Sequence, residues 1–405
     1  MELPPAFETG LELAIDTRPL FTIYVVWHPL FAGGQDIARH LFDHYRRDLY
    51  RSVIGGAGLP VIYRSMITET GGVPRHIDFD SSELTATVLL IDDYWISDPA
   101  WFAWAKELDR ASDSSNLRTL VFPIAIVKEA LTLDLATNAL RWYVWDGLEA
   151  YSRLLRLTTD LTYQFTRMLR LYLLTRGQPE ISLRENFKSY LARVQLFLSH
   201  SKHDPNGMRI ATAIRDAIQA GEGLSSFFDV HDIPVGLRFD DVILESVRES
   251  AVVAIQTDSY SSRTWCRKEV LEAKRHQVPL VVADCIDDCD ERAFPYLGNV
   301  PVVRIDPKTV DRVDVVVARL LDEVLKSFFW KCWVALVQPY ATDDDVFLPR
   351  APEILSLAHI NQRSASNVLV YPEPPLSADE LAIFAAIDGT IRLRSMIEWI
   401  AERGK

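Results

Sequence analysis

Glu269 stands four residues after Trp265 in the run Ser259-Tyr-Ser-Ser-Arg-Thr-Trp-Cys-Arg-Lys-Glu269. The pattern predicts a helix over Thr264 to His276, and in a helix that spacing sets the indole and the carboxylate one turn apart on one face. An aromatic plate beside a carboxylate suits the handling of a sugar cation. Two earlier loops offer polar groups to join them: Ser199, His200 and Lys202 in Phe197-Leu-Ser-His-Ser-Lys202, and Asp229, Asp232 and Arg238 in and just after Asp229-Val-His-Asp-Ile-Pro-Val-Gly236. Lys202 and Arg238 carry the charge and the donors that a pyrophosphate needs. Each residue also has a plainer use. Ser199 and His200 can cap or close their loop, Asp229 and Asp232 can serve as turn residues, and Lys202 and Arg238 can be solvated charges. Trp265 can plug the helix onto its sheet, and Cys266 reads as a small buried hydrophobe.

The elements that must position these groups alternate in type. Val194 opens an apolar strand that runs into the Ser199 loop, and helical spacing follows from Met208 to Gln219. A second short strand is expected over Leu224 to Phe228, before the acidic loop whose Pro234 and Gly236 forbid regular structure. A helix from Phe239 to Ser250, a strand from Ala251 to Thr257, the Trp265 helix and a strand from Pro279 to Asp284 complete the series. Short apolar strands alternating with helices predict a flavodoxin-like parallel sheet with flanking helices. Ligands then belong beyond the carboxyl ends of the strands. The Ser199 loop, the Asp229 loop and the start of the Trp265 helix all fall at that edge.

Three motifs, Phe197-Leu-Ser-His-Ser201, Asp232-Ile-Pro-x-Gly236 and Ser262-x-x-Trp-Cys-x-x-Glu269, occur in this order across roughly residues 191 to 306. They resemble those of the Toll/interleukin-1 receptor (TIR) domain family, in particular its bacterial members of the NAD-cleaving type. The resemblance implies cleavage of NAD+ at the nicotinamide–ribose bond, with Glu269 at the family's catalytic position. Animal adaptor members of the family instead bind one another without catalysis, so fold membership leaves enzyme against scaffold open.

Physical chemistry favours the enzyme. Ordinary glycosidases need two carboxylates because the leaving alkoxide must be protonated. The nicotinamide nitrogen of NAD+ is already cationic and departs as a neutral base, so one carboxylate suffices. Glu269 would stabilise the oxocarbenium-like ribose, which is stabilisation aimed at charge that develops in the transition state. Capture by water gives ADP-ribose, and internal capture gives a cyclic isomer. No glycine-rich dinucleotide fingerprint is present, so NAD+ is expected as substrate, with no bound cofactor and no metal.

Composition narrows the rest. The chain has 405 residues, 48% of them hydrophobic and 24% charged, as in an ordinary globular protein of two or three domains. A net charge of -13 argues against direct nucleic-acid binding. The four cysteines, Cys266, Cys285, Cys289 and Cys332, form no CxxC pair and follow no secretory signal. No apolar run of about 18 residues occurs, so no membrane span is expected. A cytoplasmic protein with reduced thiols is the expectation.

After an N-terminal tail over residues 1–20, residues 21–150 repeat the order of the TIR-like region. Strands are expected over Phe21 to His28, Leu59 to Tyr63, Thr87 to Ile91 and Thr119 to Ile126, with a helix from Gln35 to Leu49. Val88 to Ala105 lies on Val252 to Glu269 without a gap, matching Ser97 to Ser261 and Trp101 to Trp265. His28 falls where His200 falls. The catalytic position, however, is Ala105. We read this as a degenerate TIR-like copy; the alternative is an unrelated flavodoxin-like or receiver-like domain with Asp92 and Asp93 as its acidic pair. The expected architecture is therefore two tandem TIR-like α/β domains, at 21–150 and 191–306, plus a C-terminal extension.

A basic amphipathic helix from Glu149 to Arg176 begins the connector over residues 151–190. It reads as a strut packed on both domains; a membrane-surface role is the other reading. Residues 307–405 begin with a long helical run, Val310 to Val337. A small α/β extension follows, with a strand at Val368 to Tyr371, a Pro372 to Pro375 turn, a helix opened by a Ser377/Glu380 capping box and a last helix from Ser395 to Arg403. The resemblance implies a homo-oligomer through TIR–TIR contacts, an assembly-activated antiphage effector, and a nucleotide signal or defence protein as activator. A scaffold without chemistry and a nucleotide-sensing signalling protein are the alternatives.

Overall fold

The computed structural model describes residues 18–46, 56–68, 72–113, 117–133, 135, 138–176, 188–221, 223–230, 247, 250–290, 293–353, 355, 357 and 368–403. Two compact units emerge: Pro19–Trp333, and Met1–Arg18 with Val334–Lys405.

The larger unit holds two parallel sheets. The first comprises β1 (Phe21–Trp27), β2 (Val61–Arg64), β3 (Leu84–Ile91) and β4 (Thr119–Ala125), in the order β2-β1-β3-β4. Every residue of β1 and β3 is buried, as expected for parallel strands covered on both faces. Helices α1 (Gly34–Tyr45), α2 (Asp93–Ser97) and α3 (Pro99–Asp113) accompany them. From Ala150 to Thr175 runs α4, the connector, close to its expected limits. Its Phe165 ring meets Phe21, Tyr45 and Phe122, while its Tyr163 meets Phe227. The apolar stripe of this helix is thus spent inside the protein.

The second sheet comprises β5 (Val194–Ser199), β6 (Phe228–Val230), β7 (Ala251–Gln256), β8 (Leu280–Asp284) and β9 (Val302–Arg304), ordered β6-β5-β7-β8-β9 and parallel throughout. Its helices are α5 (Pro205–Ala220), α6 (Leu224–Phe227), α7 (Thr264–Arg275) and α8 (Val313–Val337). Period-two alternation divides the core between the faces. Val253 and Ile255 join Ile210 and Ile214 of α5 and Val316 and Leu320 of α8; Val252 and Ala254 join Cys266 and Val270 of α7. The order of the sheet reverses between β5 and β7, which marks the place where sheets of this kind have their ligand crevice, beyond the carboxyl ends of these strands.

One expected element is wrong in kind. Leu224 to Phe227 is a turn of helix, and the strand begins only at Phe228. Leu224, Phe227 and Phe228 fit a helical period as well as an apolar run, and five residues do not decide between them. The helix expected over Phe239 to Ser250 lies almost wholly outside the described residues.

The C-terminal unit contains β10 (Asp345–Phe347), β11 (Val368–Tyr371) and β12 (Arg392–Ser395), parallel in that order, with α9 (Ala378–Ile387) and α10 (Met396–Arg403). The capping box is formed on both sides: Ser377 Oγ accepts from the Glu380 N–H, and the Glu380 carboxylate accepts from the Ser377 N–H. Strands β10 and β12 were not anticipated, being short and half polar. Among the described residues no helix is long and apolar enough to cross a membrane.

Candidate active site

Three elements meet at the crevice. Ser199 is the last residue of β5, Tyr260 sits in the turn that leaves β7, and Glu269 lies in the second turn of α7. Ser199 Oγ donates to Glu269 Oε2 at 2.5 Å and lies 2.6 Å from the Tyr260 hydroxyl. Glu269 is only 7% exposed, and Tyr260 is fully buried among Val252, Ala254, Cys266 and Val270. No residue among those described contacts Oε1 of Glu269 by a hydrogen bond. The carboxylate is thus held through Oε2.

Burial pushes the Glu269 carboxyl up to about 7, and the Ser199 hydrogen bond and the Lys202 charge oppose that rise without cancelling it. Near neutrality the group therefore exchanges between acid and carboxylate. Burial, then the nearby Glu269 charge, push the Cys266 thiol up to about 12, so it stays protonated and packs as a small hydrophobe. Burial likewise lowers the His200 pKa, with Lys202 and Arg215 adding to the effect, and its buried Nδ1 has no hydrogen-bond partner. Lys202 is exposed on the same loop.

Trp265 is not the core plug that its type suggests. It is half-buried, and the Lys268 ammonium lies 4.4 Å from its ring centroid. The partly exposed indole lies one turn before Glu269 on the same helix. Asp229 is the middle residue of β6, whereas Asp232 and Arg238 lie outside the described residues.

Two carboxylates fix the loops around the site. Asp204 caps α5 by accepting from the Asn206 and Gly207 N–H groups, and its second oxygen accepts from Ser259 Oγ at 3.0 Å. This ties the Ser199 loop to the Tyr260 turn. Burial raises the Asp204 pKa, but these hydrogen bonds outweigh it and hold the carboxyl below its ordinary value. Asp290 accepts from Ser261 Oγ at 2.5 Å and from Gln256 at 3.3 Å, so Ser261 anchors the turn just before the motif. Sequence reasoning missed Tyr260, Asp204 and Asp290. For Tyr260 the available signal was an aromatic residue inside an otherwise polar turn directly after an apolar strand.

In the N-terminal sheet, rings pack together after β1 and β3. His28 stacks on Tyr94 at 5.8 Å and meets the edge of Trp101 at 4.9 Å, and Trp101 packs edge-on with Trp95 at 4.7 Å. Trp101 and Ala105 are fully buried. Asp92 caps α2 by accepting from the Trp95 N–H at 3.1 Å, in the manner of a turn residue.

No curated protein matches the chain. Residues 196–320, from the middle of β5 into α8, match the model of the TIR domain family and include Ser199, Tyr260 and Glu269: the chain carries a TIR domain over this stretch.

Proposed function

We propose that the TIR domain is an NAD+ nucleosidase in which Glu269 is the catalytic residue. The observation that carries this reading is a single buried carboxylate at the carboxyl edge of the sheet, with Oε2 held by Ser199 and Oε1 without a partner among the described residues. The C1′–N bond of NAD+ breaks, its electron pair stays on nicotinamide, and the ribosyl group becomes cationic. Ionised Glu269 stabilises that charge. Water adds at C1′ and loses a proton to give ADP-ribose; attack by an adenine nitrogen or ribose hydroxyl of the same molecule gives a cyclic isomer. Trp265, His200, Lys202, Asp229, Asp232 and Arg238 are the proposed substrate contacts, with Lys202 and Arg238 serving the pyrophosphate.

Uncontrolled NAD+ loss is lethal to a cell, which gives the flanking regions a task. The N-terminal α/β domain, with the same strand order as the first four strands of the TIR sheet and Ala105 at the carboxylate position, is proposed as a degenerate TIR-like docking or sensing copy. Activity follows self-association, as in a cytoplasmic antiphage effector triggered by a nucleotide signal or a defence protein.

The test is NAD+ turnover by the full chain and by Glu269→Gln at matched concentrations, with and without a crowding agent, products being identified by mass. Loss of NAD+ with wild type alone is expected. Turnover that survives the substitution removes Glu269 from the mechanism, and no turnover by wild type at any concentration favours a scaffold.

A further inference from the structure

We propose that Tyr260 is a positioning residue for Glu269 and acts through Ser199, in a directed chain from the Tyr260 hydroxyl to the Ser199 hydroxyl to the Glu269 carboxylate. This rests on the reading of Glu269 as the catalytic group.

Proton inventory sets the direction. An ionised carboxylate only accepts, and a serine hydroxyl has one proton. Ser199 spends that proton on Glu269 Oε2, so in the 2.6 Å contact with Tyr260 it must accept. The Tyr260 phenol remains protonated to donate, because burial and the neighbouring Cys266 and Glu269 groups push its pKa far up, against the opposing Ser199 bond. Among the described residues, the titratable and charged groups acting on Glu269 include Tyr260, Cys266 and Lys202.

Rigidity comes from the anchor. The Tyr260 ring is buried in the core on the α7 face of the sheet, while the turn that carries it is closed by the Tyr260 N–H to Thr257 carbonyl bond at 2.9 Å. A floppy hydroxyl would hold Glu269 in several rotamers. One that accepts from a core tyrosine holds Oε2 in one place, and donation to the donor strengthens the final bond to the carboxylate. The three residues come from a strand end, a turn and a helix, so the chain also reports whether those elements are in register.

The experiment titrates Glu269 in the full chain by carbon-13 NMR, its carboxyl resonance being identified by its loss in Glu269→Gln. Ser199→Ala should raise the Glu269 midpoint by about one pH unit, the scale of one hydrogen bond to a charge. Tyr260→Phe should raise it by less, and the double variant should match Ser199→Ala alone. Installing 3-fluorotyrosine at position 260, a stronger donor of nearly the same shape, should lower the midpoint, which keeps the test intact where Tyr260→Phe fails to fold. In NAD+ turnover, Tyr260→Phe should lower kcat about three- to tenfold with KM unchanged, and should move the acid limb of the profile upward. An unchanged Glu269 midpoint in Tyr260→Phe and with 3-fluorotyrosine overturns the proposal, as does a double variant in which the two shifts add. The titration gives its answer even if the wild type cleaves no NAD+, so failure of the chain and failure of the enzymatic reading are separable.

Discussion

Ser199 donates to Glu269 across 2.5 Å from a position 70 residues earlier in the chain, joining the end of β5 to the second turn of α7. The bond favours the ionised carboxylate, and burial disfavours it more strongly. The site therefore holds Glu269 at the expense of folding stability, a cost that can be read from its pH dependence.

That dependence has a definite sign. The folded Glu269 carboxyl is raised to about 7 from its ordinary value of 4.5, so between those values the folded state binds more protons than the unfolded one. Its contribution to stability is fully present below the unfolded value and is lost as the pH rises through about 7. The shift corresponds to about 3 kcal/mol. Glu269→Gln, which keeps the shape and cannot ionise, should match wild type near pH 5 and exceed it at pH 8. Urea unfolding at both pH values checks this. A variant that is less stable than wild type at pH 8 would contradict the buried-charge account.

Activity should run the opposite way. Only ionised Glu269 can stabilise a ribosyl cation, so kcat/KM for NAD+ should rise about tenfold per pH unit below about 7 and then level off. A profile measured from pH 5.5 to 8.5 in a constant-ionic-strength buffer decides it. A flat profile would show that no group with this titration controls the reaction.

Ala105 tests the proposal that the N-terminal domain is a copy without the carboxylate. It occupies the position that Glu269 holds in the aligned run, but it is fully buried in a cluster with Trp95, Trp101, Trp104 and Leu108. Ala105→Glu should create no second activity. It should instead cost at least about 3 kcal/mol, from overpacking and from burying a carboxyl without a partner. Denaturation and NAD+ turnover of Ala105→Glu in the Glu269→Gln background check both halves, and recovered turnover would sink the account of this face as closed.

How far the sequence reached depends on range. Helix α7 was legible because Cys266, Glu269, Val270 and Ala273 repeat at helical spacing, and the connector was legible for the same reason. The capping box at Ser377 is a four-residue pattern and was read directly. Leu224 to Phe228 failed because so short an apolar run has no decisive period. Tyr260 escaped because its significance lies in Ser199, 61 residues away, and nothing local distinguishes a buried turn tyrosine from an exposed one. The sequence leaves Trp265 open between packing and a ligand plate, because burial depends on its neighbours: Cys266 and Val270 fill the core of that face, and the indole is only partly buried.

His44 and Asp322 were equally out of reach, and they fasten the two halves of the larger unit. His44 Nε2 of α1 lies 3.0 Å from Asp322 Oδ1 of α8, and Asp322 is also 3.3 Å from Arg319. Burial pushes the Asp322 carboxyl up, but the charge and hydrogen bond of His44, with Arg319 and Lys326, outweigh it and leave the group below its ordinary value. Its stabilisation is therefore present above the unfolded carboxyl value and is lost as the pH falls through the lower folded one. At pH 6, His44→Ala should cost about 1–3 kcal/mol, because it strips a buried carboxylate of its principal partner. Adding Asp322→Asn should recover part of that loss, since no charge is then stranded. Urea unfolding of wild type, both single variants and the double variant measures the coupling. If the two losses simply add, the pair does not join α1 to α8 energetically.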